Sequence, residues 1–69
     1  MEVFKLKEEY IKLGQVIKAV GWGDDGVEAK HVIQEGLVKV DDQTELRRGR
    51  KLYDGNVVTY QEKKIKISS

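Results

Sequence analysis

Residues 28–42, with the sequence EAKHVIQEGLVKVDD, contain the change of period that decides the fold. Three apolar residues in the first half recur at the spacing of one helix face, namely Ala29, Val32 and Ile33. Beyond Gly36, a residue type that suits a helix end, the pattern alternates and places Val38 and Val40 on one side of a strand. The segment therefore predicts a helix over residues 27–35 that leads directly into a strand.

A second helix signal lies earlier in the chain, where five apolar residues share one helical face: Tyr10, Leu13, Val16, Ile17 and Val20. Gly14 weakens this signal at its start, so we expect an ordered helix over residues 13–20, ended by Gly21. Asp25 and Glu28 have the spacing of a capping box, which predicts the start of the later helix just after Asp25.

Alternation of apolar and polar residues predicts the strands. They are expected near residues 3–6, 37–40, 43–46, 57–60 and 65–67, with turns at Asp41-Asp42 and Asp54-Gly55-Asn56. The element order is then β-α-α-β-β-β-β. Two short helices must pack on one face of a small, mostly antiparallel sheet, because no other arrangement buries both apolar surfaces. We predict this α+β fold, with the hypothesis that the N-terminal strand pairs with the C-terminal one.

The composition is typical of a very small folded protein. With 69 residues the chain is expected to form a single domain over residues 1–69, of marginal stability. It has no cysteine, which is compatible with a reducing compartment. Its apolar runs are far too short to cross a bilayer, and it shows no signal peptide. We therefore expect a soluble, cytoplasmic monomer that has no contact with membranes.

The residues needed for catalysis or metal binding are scarce. His31 is the only histidine and there is no cysteine, so only carboxylate chemistry would remain. The adjacent acids, such as Asp24-Asp25, are better explained by turns, caps or a solvated surface. We predict no enzymatic role, no metal, no cofactor and no small-molecule substrate.

The densest positive charge lies in LRRGRKLYDGN, residues 46–56, which contain Arg47, Arg48, Arg50 and Lys51. The formal net charge of the whole chain is only +1. Three interpretations are open: a solvated loop, a nuclear localisation sequence, or a phosphate-binding surface. Arginine outnumbers lysine in this run, and its planar fork matches phosphate oxygens two at a time. The bias favours recognition of phosphate, and hence of nucleic acid.

The order of these signals resembles the RNA-binding domain first described in the fourth protein of the small ribosomal subunit. That family has a helix with Glu-Ala and basic residues, then Ile, Gly and Val-x-Val, which are here Glu28-Ala29-Lys30-His31, Ile33, Gly36 and Val38-Lys39-Val40. The chain is most similar to the small stand-alone bacterial branch, the YaaA/YbcJ-like proteins. These share the Leu13-Gly14-Gln15 helix start and the segment RRGRKL, so the resemblance covers nearly the whole chain.

The resemblance implies a protein that binds structured RNA, ribosomal RNA above all, mainly through phosphates and shape, with a role in ribosome assembly for some members. The contacts expected with phosphates are Lys30, Lys39, Arg47, Arg48, Arg50 and Lys51. His31 and Gln34 are candidates for sugar or base contacts. The alternatives are an adaptor that docks on an acidic protein through the same face and, third, a DNA-binding protein.

Three departures from the family pattern affect the expected contacts. They are Asp25-Gly26 in place of Ser-Arg, Lys12 near the position of an arginine, and Asp41-Asp42 in place of an Asn-Gly turn. They predict RNA contacts that are weaker or differently placed than those of a ribosomal protein, and they shift the weight of binding onto the basic run.

Overall fold

The helices and strands are those of a computed structural model that describes residues 1–23 and 26–69. Its elements are β1 (Glu2–Lys5), β2 (Ile11–Lys12), α1 (Leu13–Ala19), α2 (Gly26–Gln34), β3 (Val38–Val40), β4 (Gln43–Thr44), β5 (Lys51–Leu52), β6 (Val57–Tyr60) and β7 (Lys63–Ser68). The predicted capping box depends on Asp25, which lies outside the described residues.

Both helices end next to the glycines that the sequence predicts as helix ends, Gly21 and Gly36. Gly21 and Gly36 each have a φ of 78°, the left-handed conformation that glycine adopts without a steric penalty. The amide after each glycine reaches back to the helix, as Trp22 N–H donates to the Ile17 carbonyl and Leu37 N–H to the Val32 carbonyl. These bonds satisfy carbonyls that the helix ends would otherwise leave without partners.

The main sheet has five strands in the order β1-β7-β6-β3-β4. Only the β1–β7 pair is parallel, and the other three pairs are antiparallel, which confirms a mostly antiparallel sheet. The pairing of Val3 with Lys66 and of Phe4 with Ile67 confirms that the N-terminal strand lies against the C-terminal one. β1 is therefore one edge strand of the open sheet, and β4 is the other.

Two short strands were not expected from the sequence. β2 and β5 form a separate antiparallel ribbon, with Ile11 opposite Leu52 and Lys12 opposite Lys51. The predicted order therefore lacked a strand before the first helix. The strand predicted over residues 43–46 is also shorter, because β4 ends at Thr44. Two-residue strands are too short to produce a periodic pattern, so only their tertiary partners define them.

The core lies between the two helices and the inner face of the main sheet. Leu13, Val16 and Ile17 of α1 and Ala29, Val32 and Ile33 of α2 are buried against Val38, Val40, Val58, Ile65 and Ile67 of the sheet. The helix faces predicted from periodicity are therefore the buried ones, with one correction: Tyr10 lies before β2, outside α1, and both Tyr10 and Val20 are only half-buried. Within residues 1–23 and 26–69, no helix lies on the opposite face of the main sheet, where Lys39, Lys64 and Lys66 are exposed.

Candidate nucleic-acid interface

Residues 46–51, here called the basic loop, are fixed to the first turn of α1 by main-chain hydrogen bonds. Leu13 N–H donates to the Arg50 carbonyl and Gly14 N–H to the Arg48 carbonyl, both at 2.9 Å. The first amides of a helix have no partner within it, so the loop supplies the acceptors that they need. A Cβ at position 14 would lie 3.4 Å from both Cβ and the carbonyl oxygen of Arg48, which is ordinary van der Waals contact, so the loop packs directly against the start of the helix.

The start of α1 is completed by Gln15, whose side-chain oxygen accepts a hydrogen bond from Lys12 N–H at 3.2 Å. Leu13 is fully buried beneath it. The three residues of Leu13-Gly14-Gln15 thus have separate roles, since the first packs into the core, the second donates its amide to the Arg48 carbonyl and the third caps the helix.

Glu45 holds the basic loop in place through hydrogen bonds. This buried residue is only 7% exposed, and its carboxylate accepts hydrogen bonds from the main-chain amides of Leu46 and Arg47, both at 3.1 Å. It also accepts from Arg47 Nε at 3.1 Å and Nη2 at 3.3 Å, and from Arg50 Nη1 at 2.7 Å. One carboxylate therefore holds two of the three arginines and the main chain that joins them.

These bonds stabilise the ionised form of Glu45. Side-chain hydrogen bonds from Arg47, followed by those from Arg50 and the Arg47 amide, lower the pKa of Glu45 from 4.5 to about 2 and outweigh the opposing effect of burial. The same pairing raises the pKa of Arg47. Both groups stay charged over the whole physiological range, so the loop keeps its shape and its cations.

A cleft of about 310 Å³ lies between the basic loop and the two helices. Three cations line it, Lys12, Lys18 and Arg48, together with Gly14, Gln15, Ala29 and Gly49. Arg48 has no ion-pair partner among the residues that the structure describes. The cleft therefore brings together positive charges from three parts of the chain at one concave surface.

The eight residues that the sequence singled out do not form one cluster. Arg47, Arg48, Arg50 and Lys51 belong to the basic loop or to β5 directly after it, and Lys30, His31 and Gln34 form the exposed stripe of α2. His31 Nε2 lies 3.7 Å from Glu35 Oε1 one turn later. Lys39 lies on the sheet face opposite the helices, since its neighbours Val38 and Val40 point into the core.

Sequence reasoning missed three residues of this region. Glu45 was assigned only to a returning strand, and no local pattern marks it as the acceptor for Arg47 and Arg50. Lys12 was noted near the position of a family arginine, and Lys18 follows Gly14 by one helical turn. That spacing was an available signal, because it places Lys18 on the face of α1 that the loop covers.

The described part of the chain offers neither a metal-binding cluster nor a membrane-spanning helix. Within residues 1–23 and 26–69, no group of three or more His, Cys, Asp or Glu residues could hold a metal ion. No helix of the described chain is long and apolar enough to span a membrane.

Comparison with known proteins agrees with this architecture. The family model for the S4 domain matches residues 4–68, and the chain belongs to that family. YbcJ of Escherichia coli, named as a putative RNA-binding protein, is 38% identical over 61 residues, which are 87% of each chain. RlbA of Bacillus subtilis, named for ribosome maturation, is 46% identical over 50 residues, which are 72% of this chain and 70% of RlbA.

The solved structure of YbcJ from Escherichia coli has the same fold. Its solution structure is described as containing an alpha-L motif involved in RNA binding. It covers 100% of this chain and 89% of its own with a TM-score of 0.75 at 33% identity. The fold expected from the resemblance, two helices on a mostly antiparallel sheet, is thereby confirmed.

Proposed function

We propose that this chain binds structured RNA, with ribosomal RNA as the first candidate, and that it acts in ribosome assembly as a monomeric single domain in the cytoplasm. The relatives named for RNA binding and ribosome maturation support the class of partner. As part of the same proposal, the protein works by binding alone and catalyses no reaction.

The observation that carries the proposal is the cationic cleft beside the basic loop. Lys12, Lys18 and Arg48 converge there from a strand, a helix and a loop that are joined by main-chain hydrogen bonds. Because the main chain that carries these cations is already fixed, less conformational freedom is lost when a phosphate enters. Such a surface recognises backbone geometry, which is the feature by which most proteins recognise RNA duplexes.

Arg47 and Arg50 contribute differently from Arg48 in this proposal. Each guanidinium carries five N–H donors, and Glu45 engages only some of them. The Arg47 side chain remains 75% exposed and that of Arg50 37% exposed, so both can still offer donors to a phosphate. Four further residues remain predicted RNA contacts at the edge of this surface: Lys51, Lys30, His31 and Gln34. Lys39 lies on the outer sheet face, so its contact with RNA requires a second binding surface there.

The test compares binding of ribosomal RNA fragments and of duplex DNA of equal length. Wild-type protein is expected to prefer RNA, and Arg48→Glu is expected to weaken RNA binding strongly because it reverses a charge in the cleft. Arg47 and Arg50 are left intact, since reversing them would surround the Glu45 carboxylate with like charges and unfold the loop.

Lys66→Glu is the matched control, with the same change of charge on the outer sheet face. If it weakens binding as much as Arg48→Glu does, the cleft is not the site. Equal affinity for RNA and DNA would contradict RNA specificity, and no binding to either would favour an acidic protein partner. Lys39→Glu in the same series decides whether the outer face takes part.

A further inference from the structure

We propose that the outer face of the β2–β5 ribbon is a stacking platform for an unpaired nucleobase, with Tyr53 as the residue that touches the base. The inference rests on the proposed function and narrows it: the RNA recognised has an unpaired base, in a bulge or a loop, beside the duplex that enters the cleft. The ribbon was absent from the sequence-based prediction, and its aromatic residues have no role in the contacts described above.

The register of the ribbon brings the four side chains of the platform together. Ile11 pairs with Leu52, and these two point inward, since Leu52 is fully buried and Ile11 packs against the core. Side chains alternate along a strand, so the flanking positions point outward. Those positions are Tyr10, Lys12, Lys51 and Tyr53. The outer face therefore has two aromatic rings side by side and two ammonium groups beside them.

The two rings have different surroundings. Their centroids are 5.9 Å apart and their planes are tilted by 49°. Lys51 Nζ lies 4.8 Å from the Tyr10 ring centroid, within the range of a cation–π contact. Tyr10 is half-buried, whereas Tyr53 is 45% exposed. Tyr53 thus offers the accessible aromatic surface, and Tyr10 supports it from the side.

Tyr53 is also held in place before any ligand binds. Its amide donates to Asn56 Oδ1 at 2.7 Å, and its carbonyl accepts from Asn56 N–H at 3.1 Å. These two bonds close the Asp54-Gly55-Asn56 turn. An exposed ring on a fixed main chain is a suitable stacking surface, because little conformational freedom remains to be lost on binding.

The neighbourhood of the platform identifies a nucleotide as its ligand. Lys12 belongs both to the ribbon and to the cationic cleft, so the aromatic surface and the phosphate surface are continuous. On the other side, Tyr10 borders an open groove of about 840 Å³ whose charged lining residues are Lys5, Lys7 and Lys18 with one acid, Glu8. Aromatic faces interleaved with cations are the general means of holding unpaired bases and their phosphates. An isolated solvated tyrosine would have neither the second ring nor this continuity.

The experiment uses two RNA stems of the same sequence, one of which has a single bulged 2-aminopurine. Wild-type protein is expected to bind the bulged stem on the order of ten-fold more tightly and to quench the fluorescence of the 2-aminopurine. Tyr53→Leu should remove both the preference and the quenching, and Tyr53→Phe should retain both, because phenylalanine keeps the ring. Arg48→Gln should weaken binding to both stems by a similar factor.

The outcomes separate this inference from the proposed function. If both stems bind equally, with no quenching by the wild type, the platform is refuted while RNA binding stands. If neither stem binds, the proposed function fails and the platform fails with it. Circular dichroism confirms that each variant is folded before binding is measured, and a folded Tyr53→Leu that keeps both the preference and the quenching would refute Tyr53 as the stacking residue.

Discussion

A single buried carboxylate stabilises a loop that the sequence alone presents as a run of exposed cations. Without Glu45, Arg47 and Arg50 would repel each other and Arg48 across a short, flexible segment. With Glu45 in place, five hydrogen bonds converge on one carboxylate and the loop has a defined shape. The cost is that part of the positive charge is neutralised before RNA arrives. The hydrogen bonds to Glu45 therefore reduce the net positive charge of the loop and, at the same time, fix its geometry.

Glu45→Gln should destabilise the domain by about 2 kcal/mol at neutral pH, because a charged acceptor of several hydrogen bonds becomes a neutral amide. For a domain of this size that corresponds to a melting temperature lower by roughly 10 °C. Thermal unfolding followed by circular dichroism measures the shift. Glu35→Gln, at the exposed position directly after α2, is the matched control and should change the melting temperature little.

The effect of Glu45 should depend on pH in a defined direction. Its pKa is lowered on folding from 4.5 to about 2, so its ionised form stabilises the native state fully above pH 4.5. That contribution is lost as the pH falls from about 4.5 towards 2, and the stability difference between wild type and Glu45→Gln should shrink over the same range. Urea unfolding of both proteins across this range provides the measurement. A difference that stays constant would show that the charge of Glu45 has no part in stability.

Gly23 is required by the packing of a loop on α2. A Cβ at this position would lie 2.9 Å from the Ala29 amide nitrogen and 3.0 Å from its Cα, which are main-chain atoms that cannot move aside. Gly23→Ala should therefore destabilise the domain by about 1–3 kcal/mol. Gly49→Ala is the control, because a Cβ there meets nothing within 4 Å and should change stability by less than about 1 kcal/mol. Equal melting temperatures for the two variants would refute the packing argument.

At the scale of elements, β1 pairs the N-terminal segment with the C-terminal strand β7. It forms the only parallel pair of the main sheet, and Leu6 just beyond it donates its amide to the Ser68 carbonyl. Leu6 is buried, whereas Val3 is 60% exposed on the outer face. The strand is therefore attached by its main-chain ladder, by Phe4, which packs against the core, and by the buried Leu6.

Leu6→Ala should lower the free energy of unfolding by about 2–3 kcal/mol, because it leaves a cavity in a small core. Val3→Ala removes a similar amount of apolar volume from the exposed side of the same segment and should cost less than about 1 kcal/mol. Deletion of residues 1–6 should unfold the domain or lower its melting temperature strongly. An unchanged melting curve for the deletion would rule out β1 as a stabilising strand.

The two turns of the sheet are linked by Asp41, which explains a departure from the family pattern. Asp41 and Asp42 have φ values of 51° and 67°, the conformation for which hairpins favour Asn-Gly. The Asp41 carboxylate accepts hydrogen bonds from Asn56 Nδ2 at 2.7 Å and from Val57 N–H at 2.9 Å. The acid therefore joins the β3–β4 turn to the start of β6 through both of its carboxylate oxygens, whereas an asparagine at this position has only one acceptor oxygen.

At the scale of the whole molecule, the chain is nearly neutral, but its positive charges are unevenly distributed over its surface. The formal net charge is only +1, yet six of the 13 Lys and Arg residues lie in the cleft, the basic loop and the β2–β5 ribbon, namely Lys12, Lys18, Arg47, Arg48, Arg50 and Lys51. If about four phosphates are neutralised there, the logarithm of the RNA affinity should fall against the logarithm of salt concentration with a slope of roughly −3 to −4.

Titration of RNA binding at several salt concentrations measures this slope for wild type, Arg48→Glu and Lys66→Glu. Arg48→Glu should reduce its magnitude by about one, because one phosphate contact is lost. Lys66→Glu, on the opposite face of the molecule, should leave the slope unchanged. Binding that is insensitive to salt would contradict recognition through phosphates.

The sequence by itself determined the helices, the longer strands and the residues that line the core. Each of these repeats an apolar residue at a period that the local main chain dictates, as in Val32 and Ile33 of α2 or Val38 and Val40 of β3. The glycine helix ends and the concentration of arginines after residue 46 were visible for the same reason, since they are local properties of the chain.

Only the tertiary structure decided how these parts form a binding surface. The hydrogen bonds of Glu45, the approach of the basic loop to Gly14 and the pairing of Tyr10 with Tyr53 join residues that no periodic pattern relates. The same holds for Lys39, which belongs to the predicted set by sequence but lies on the other face of the sheet. Contacts of this kind depend on where the main chain crosses itself, and that position is determined only when the core has closed.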